Sequence, residues 1–230
     1  RLSRLFVTFA VQQPAMSTPS LPPTLPSVTE TDAARFLSVL FDAPVADVTP
    51  IGAGMFAHAF AFDADGQALI FRVNAFAVDF QKDALAWERF ASPALPIPAV
   101  VSAGRYADGL AYAVTRRCQG KTIEQMTTDE ELACVPSLLA ILDTIHAVDA
   151  SGYPGWGLTD GDGRGLFESW PKYLLSLYNQ KKDYDWDALP SHPLLEWDVF
   201  QALYDEMRRL LVYCPLQKYI VHGDYGFDNV

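Results

Sequence analysis

The sequence predicts an α+β fold in two parts, a small β-rich lobe over residues 31–116 and a helical lobe over 122–230, joined by a hinge at 117–121. Three observations carry that expectation. Five short strand-like segments lie between Pro44 and Arg116, with one helical segment inserted among them. Asp65-Gly66 and Asp108-Gly109 give two-residue hairpin signals inside the same stretch. After Gly120 the character changes, and apolar residues recur mainly at helical spacing.

Residues 1–30 are expected to form a disordered lead-in. Residues 1–15 faintly resemble a signal peptide, but the apolar run from Leu5 to Val11 is short and broken by Thr8. Translated upstream DNA, with Met16 as the true start, is the better reading. Residues 17–27 are rich in Ser, Thr and Pro and read as a flexible approach to the fold. Thr31 is placed to cap a helix over 32–42. Pro44 and Pro50 bracket a first strand, and a glycine turn at 52–54 leads through the partly alternating run 51–63. Residues 68–74 return as the third strand. Phe80, Leu85, Trp87 and Phe90 give residues 79–91 helical spacing, and Pro96 and Pro98 bar any continuation. Segments 100–106 and 110–116 complete the strands.

In the helical part, Leu132, Val135, Leu139, Leu142 and Ile145 form one stripe of a helix over 129–150. Residues 152–165 read as a Gly-rich loop. Helices follow over 166–180, with Pro171 in the first turn, and over 195–212. Residues 218–224 read as a strand running into a loop.

The 230 residues carry 17 basic and 28 acidic side chains, a net charge of −11, which argues against nucleic-acid or anionic-membrane partners. A cationic small molecule is compatible with that charge. Half the residues are hydrophobic, enough for a sizeable core. Cys118, Cys134 and Cys214 are odd in number and widely spaced, so neither a disulfide framework nor a CxxC metal site is indicated. Reduced thiols in a cytoplasmic protein are expected. The longest apolar stretch, 132–142, is too short to span a bilayer. The acidic loop 159–165 fails as a calcium loop, because Arg164 stands where an acid belongs.

The chemistry concentrates near the C-terminus. His222, Asp224 and Asn229 have the spacing H-x-D-x-x-x-x-N of a kinase catalytic loop. An aspartate at such a loop can accept a proton from an attacking hydroxyl and align it with phosphorus. An asparagine carbonyl five residues on suits a hard Mg²⁺ ion. The alternative makes His222 a buried hydrogen-bonded histidine and Asp224 and Asn229 turn residues.

HGDYGFDN, residues 222–229, resembles the H-G-D-x-x-x-x-N motif of the aminoglycoside phosphotransferases, which are enzymes of protein-kinase-like two-lobe fold. Segments IFRVN (70–74), FASPALPIP (90–98) and RRCQG (116–120) resemble the hygromycin B phosphotransferase branch in order and spacing. The resemblance runs from about residue 32 to 230. It implies ATP and Mg²⁺, with Asp224 as base and Asn229 as a metal ligand. It makes Arg72 the phosphate-holding cation of the third strand, with arginine where kinases carry lysine. Asp83 takes the place of the helix carboxylate that orients that cation, with Glu88 as the competing candidate. Gly52 and Gly54 would let backbone amides approach phosphate, or else form an ordinary hairpin turn. Adenine would meet backbone groups near Arg117 and Cys118. The implied acceptor is a hydroxyl of an aminoglycoside such as hygromycin B. A macrolide, homoserine, choline or a sugar amine is the alternative acceptor, and a non-catalytic nucleotide-binding module the alternative class. The second metal-binding aspartate of such enzymes would fall beyond Val230, so the chain is expected to be C-terminally truncated and inactive alone.

Overall fold

The computed structural model describes residues 27–53, 57–107, 109–179, 189–191, 193 and 195–226. The expectations for residues 1–26, Gly54 and Asn229 lie outside the described residues.

The β-rich part has the expected strands, except that the first runs through Pro50 and Gly52 to Ala53, with a register irregularity between Pro50 and Gly52. Five strands, β1 (Ala46–Ala53), β2 (Ala57–Ala64), β3 (Gln67–Asn74), β4 (Val100–Arg105) and β5 (Ala111–Arg116), form one antiparallel sheet in the order β1-β2-β3-β5-β4. The β2–β3 hairpin turns at Asp65-Gly66, whose φ angles are 49° and 71°. Helix α1 (Glu30–Leu40) precedes the sheet, and α2 (Ala77–Phe90) is inserted between β3 and β4. Strand alternation sends Phe60, Phe62, Leu69, Phe71, Val73, Tyr112 and Val114 to one face, where Ala33 and Leu37 of α1 close the core. The opposite face carries Ala111 and Ala113, on which Phe80 of α2 packs. The sheet is therefore covered on both faces. Burying a Phe or Leu side chain contributes about 1.5–3 kcal/mol, so the seven large residues of the first face dominate this unit's stability.

The cap of α1 corrects the sequence reading. Thr29 is the N-cap, not Thr31: its side chain accepts from the Asp32 backbone N–H, while the Asp32 carboxylate accepts from the N–H and hydroxyl of Thr29. A capping box needs an acid three residues after the cap, and Thr31 has Ala34 there.

Helix α3 (Thr128–His146) starts on a second capping box, Thr127 with Glu130. Its buried face is Ile141 and Ile145, flanked by Leu138, packed on Leu95 and Ile123. The expected stripe is displaced: Leu132, Val135 and Leu139 are exposed. Residues 218–226 form no strand, correcting another expectation. A strand requires a neighbour to complete its hydrogen bonds, and among the described residues none pairs with this segment. Instead Ile220 and Tyr225 pack into the α3 cluster, and the Tyr225 hydroxyl donates to the Leu138 carbonyl at 2.9 Å.

Chain contacts divide the molecule into two compact units. The first comprises the described residues up to Val148 together with those from Tyr219, and the expected 117–121 hinge lies inside it. The second is Asp149–Lys218. It contains a small antiparallel hairpin, β6 (Trp156–Thr159) and β7 (Gly165–Phe167), where the sequence reading placed loop and the start of a helix. It also contains α4 (Trp170–Asn179) and α5 (Trp197–Leu210), shorter than the expected helices. Lys218 donates to the Tyr153 carbonyl at 2.8 Å and lies 5.2 Å from the Trp156 ring centroid. The Tyr204 hydroxyl ties α5 to the Leu175 carbonyl of α4 at 3.2 Å. Among the described residues no helix is long and apolar enough to cross a membrane.

Candidate active site

Arg72 lies in the middle of β3, opposite Ala59 of β2 and Ala113 of β5. Its parity is opposite to that of Phe71 and Val73, so its side chain leaves the α1 core and meets α2. There the guanidinium donates from Nη2 to Oδ2 of Asp83. The Arg72 side chain is 24% exposed and that of Asp83 11%. The competing carboxylate Glu88 is exposed on α2, and Asp83 is the one that meets the arginine. Burial pushes the Asp83 carboxyl above its ordinary range, while the charge and hydrogen bond of Arg72, then His222 and Lys82, pull it back.

The pair sits in a wider buried polar cluster. Asn74, at the end of β3, and Lys82, beside Asp83, are both buried. The Asn74 carbonyl oxygen accepts from the Phe76 backbone N–H at 2.8 Å, fixing the entry to α2. Its amide reaches Asp79 at 3.5 Å. Burial pushes the Asp79 carboxyl up to about 6, against the pull of Lys82. Sequence reasoning missed Asn74, Asp79 and Lys82. The signal available was their spacing: Asp79, Lys82 and Asp83 fall within one turn of α2.

The loop carrying Asp224 belongs to the same compact unit. His222 is 1% exposed, and Ile220 and Tyr225 on either side of it share an apolar cluster with Phe90 at the end of α2, so the loop lies close to that helix. Its Nδ1 accepts from the Asp224 backbone N–H at 3.3 Å. That acceptor role requires the tautomer with the proton on Nε2. The Tyr225 ring meets the imidazole edge-on at 5.3 Å. Gly223 turns the chain with φ of 84°, a left-handed conformation that glycine adopts without strain. The Asp224 side chain is exposed. His222 is thus the buried hydrogen-bonded residue that one reading expects.

The remaining expected residues are less closely assembled. Gly52 pairs with Ala59 at a register irregularity after Pro50. At the 117–121 segment, the Arg117 backbone N–H donates to the Ala68 carbonyl at 2.9 Å, so that amide is taken by the sheet. The Arg117 side chain is exposed and Cys118 is half-buried. Among the described residues no group of three or more His, Cys, Asp or Glu is gathered as a metal site. An arginine held by a helix carboxylate, beside a loop presenting an aspartate, can bind phosphate oxygens and accept a proton from a hydroxyl.

Residues 47–230 match the APH phosphotransferase enzyme family. The chain is 33% identical over 205 residues to hygromycin-B 4-O-kinase of Escherichia coli, covering 89% of this chain and 59% of that kinase's length. The crystal structure of aminoglycoside phosphotransferase APH(4)-Ia superposes with a TM-score of 0.79 at 32% identity, over 87% of this chain and 67% of the other. A thermostable mutant of that enzyme, in ternary complex with AMP-PNP and hygromycin B, gives 0.78 at 31%, over 86% and 66%. An APH(2") enzyme complexed with GDP and kanamycin, at 19% identity and a TM-score of 0.54, shares the fold. The sheet with its inserted helix is the α+β, kinase-like fold of these relatives, and the chain belongs to the APH phosphotransferase enzyme family.

Proposed function

We propose that the chain carries the nucleotide-holding and catalytic-loop part of an ATP-dependent phosphotransferase whose acceptor is a hydroxyl of an aminoglycoside of the hygromycin B type. The observation that carries this reading is the Arg72–Asp83 pair in one compact unit with the His222-Gly223-Asp224 loop. Arg72 donates to the α- and β-phosphates, and Asp83 holds its fork in place. Asp224 accepts the proton of the attacking hydroxyl as the bond from that oxygen to the γ-phosphorus forms and the bond to the leaving ADP oxygen breaks. Gly52 and Gly54 allow the backbone close to phosphate. Adenine meets the 117–118 backbone through groups other than the Arg117 amide, which Ala68 occupies. A magnesium ion with Asn229 among its ligands belongs to this reading and would neutralise phosphate charge when bound. The acceptor class is supported by the hygromycin-B 4-O-kinase relative and by the hygromycin B bound to APH(4)-Ia. The net charge of −11 suits a polycationic acceptor in the cytoplasm, where ATP is available.

The test is hygromycin B resistance in cells expressing the complete gene, with Asp224→Asn as control. Resistance that disappears in the variant is expected. Full susceptibility with both proteins well expressed, or equal resistance from both, refutes the proposal.

A further inference from the structure

Arginine stands at position 72, where kinases generally use lysine, and the surroundings of its side chain account for the choice. The guanidinium carbon lies 5.3 Å from the centroid of the Phe80 ring. Phe80 and Asp83 are one turn apart on α2 and share its inward face. Phe80 is 3% exposed and is pinned from behind by Ala111 and Ala113. The cross-strand neighbours of Arg72 are both alanine, so nothing bulky on β2 or β5 competes for the space over the ring. The guanidinium is thus bounded below by an aromatic face and at one edge by a carboxylate.

We infer that Phe80 is a positioning residue that, with Asp83, fixes the plane of the Arg72 guanidinium and makes the site selective for arginine over lysine. A planar, weakly hydrated guanidinium gains from an aromatic face while keeping donors free at its rim. An ammonium is a strongly hydrated point charge and cannot stack in this way. A lysine here would use its single charge on Asp83 and leave the ring uncovered. The consequence for phosphate rests on the proposed role of Arg72; the positioning itself does not.

The experiment uses the 230-residue chain with labelled arginine and two readouts. The first is NMR of the Arg72 side-chain protons, which the Phe80 ring should shift upfield. The shift is expected to disappear in Phe80→Met, which keeps bulk without a ring, and to persist in Phe80→Tyr. The wild-type spectrum is decisive alone should Phe80→Met fail to fold: Arg72 protons without a ring-current shift overturn the inference. So does a shift that survives in folded Phe80→Met. The second readout is MgATP affinity. Phe80→Met and Arg72→Lys are each expected to weaken it about three- to tenfold, and the double variant no more than the worse single one. Additive losses overturn the shared mechanism. A wild-type chain that shows the ring-current shift but no MgATP binding upholds the positioning and removes the phosphate role.

Discussion

Replacing Asp79 by asparagine isolates the cost of the buried carboxyl at the start of α2. The group has an ordinary pKa of 3.8, and burial in the folded protein raises it to about 6. The acid form is therefore favoured by folding. Its stabilising contribution is complete below pH 3.8 and is lost as pH rises through about 6. A shift of that size corresponds to about 3 kcal/mol. The carboxyl is only partly buried, and water screening reduces this to about 1–2 kcal/mol. Asparagine stays neutral at every pH and can still accept from the Asn74 amide. It gives up the favourable interaction of an acid with the N-terminus of α2, about 0.5 kcal/mol. Removing the buried charge outweighs that loss, so Asp79→Asn should be more stable than wild type by about 1 kcal/mol at pH 8. The advantage should shrink as pH falls below 6 and vanish by about pH 4. The assay is urea unfolding at both pH values, followed by circular dichroism. A variant less stable than wild type at pH 8, or an identical pH dependence in the two proteins, refutes the reasoning.

Asp83→Asn should act with the opposite sign. It strips the partner from a largely buried Arg72 beside Lys82, and chemical denaturation at pH 8 should show a loss of about 2–3 kcal/mol, the low end for a broken buried pair because Arg72 keeps some water. Thr127→Ala removes the cap of α3 and should cost about 1 kcal/mol, read from the same denaturation curves. At Gly155 an added Cβ would lie 2.0 Å from the Gly165 carbonyl oxygen, so Gly155→Ala should force the β6–β7 hairpin apart. The expected loss is about 2–3 kcal/mol, with a changed near-UV signal from Trp156.

The sheet was legible because its strands alternate and Asp65-Gly66 announces a hairpin, both local properties. The Arg72–Asp83 pair was expected from the resemblance to the hygromycin B phosphotransferase branch, and one short connection between β3 and α2 is what brings the two residues together. Phe80 was read only as an apolar helix position, since nothing local distinguishes a ring that packs a core from one that also carries a cation. The buried face of α3 failed for a tertiary reason: apolar residues occupy several faces of that helix, and Leu95, Ile123 and Tyr225 select one of them. The 218–224 segment has strand-like composition, but pairing depends on a neighbour that composition does not supply. The β6–β7 hairpin was hidden by glycines, which weaken any strand signal.

The central claim is that Asp224, set on its loop by His222, is the base of a phosphoryl transfer. Its most direct measurement is the transfer of label from γ-labelled ATP to hygromycin B by the product of the complete gene, alongside its Asp224→Asn variant. The expected result is labelled hygromycin B from the parent protein and a fall of about 10²–10⁴-fold in rate for the variant, with nucleotide affinity unchanged. Equal rates from the two proteins, or no labelled product from a folded parent that binds MgATP, would contradict it.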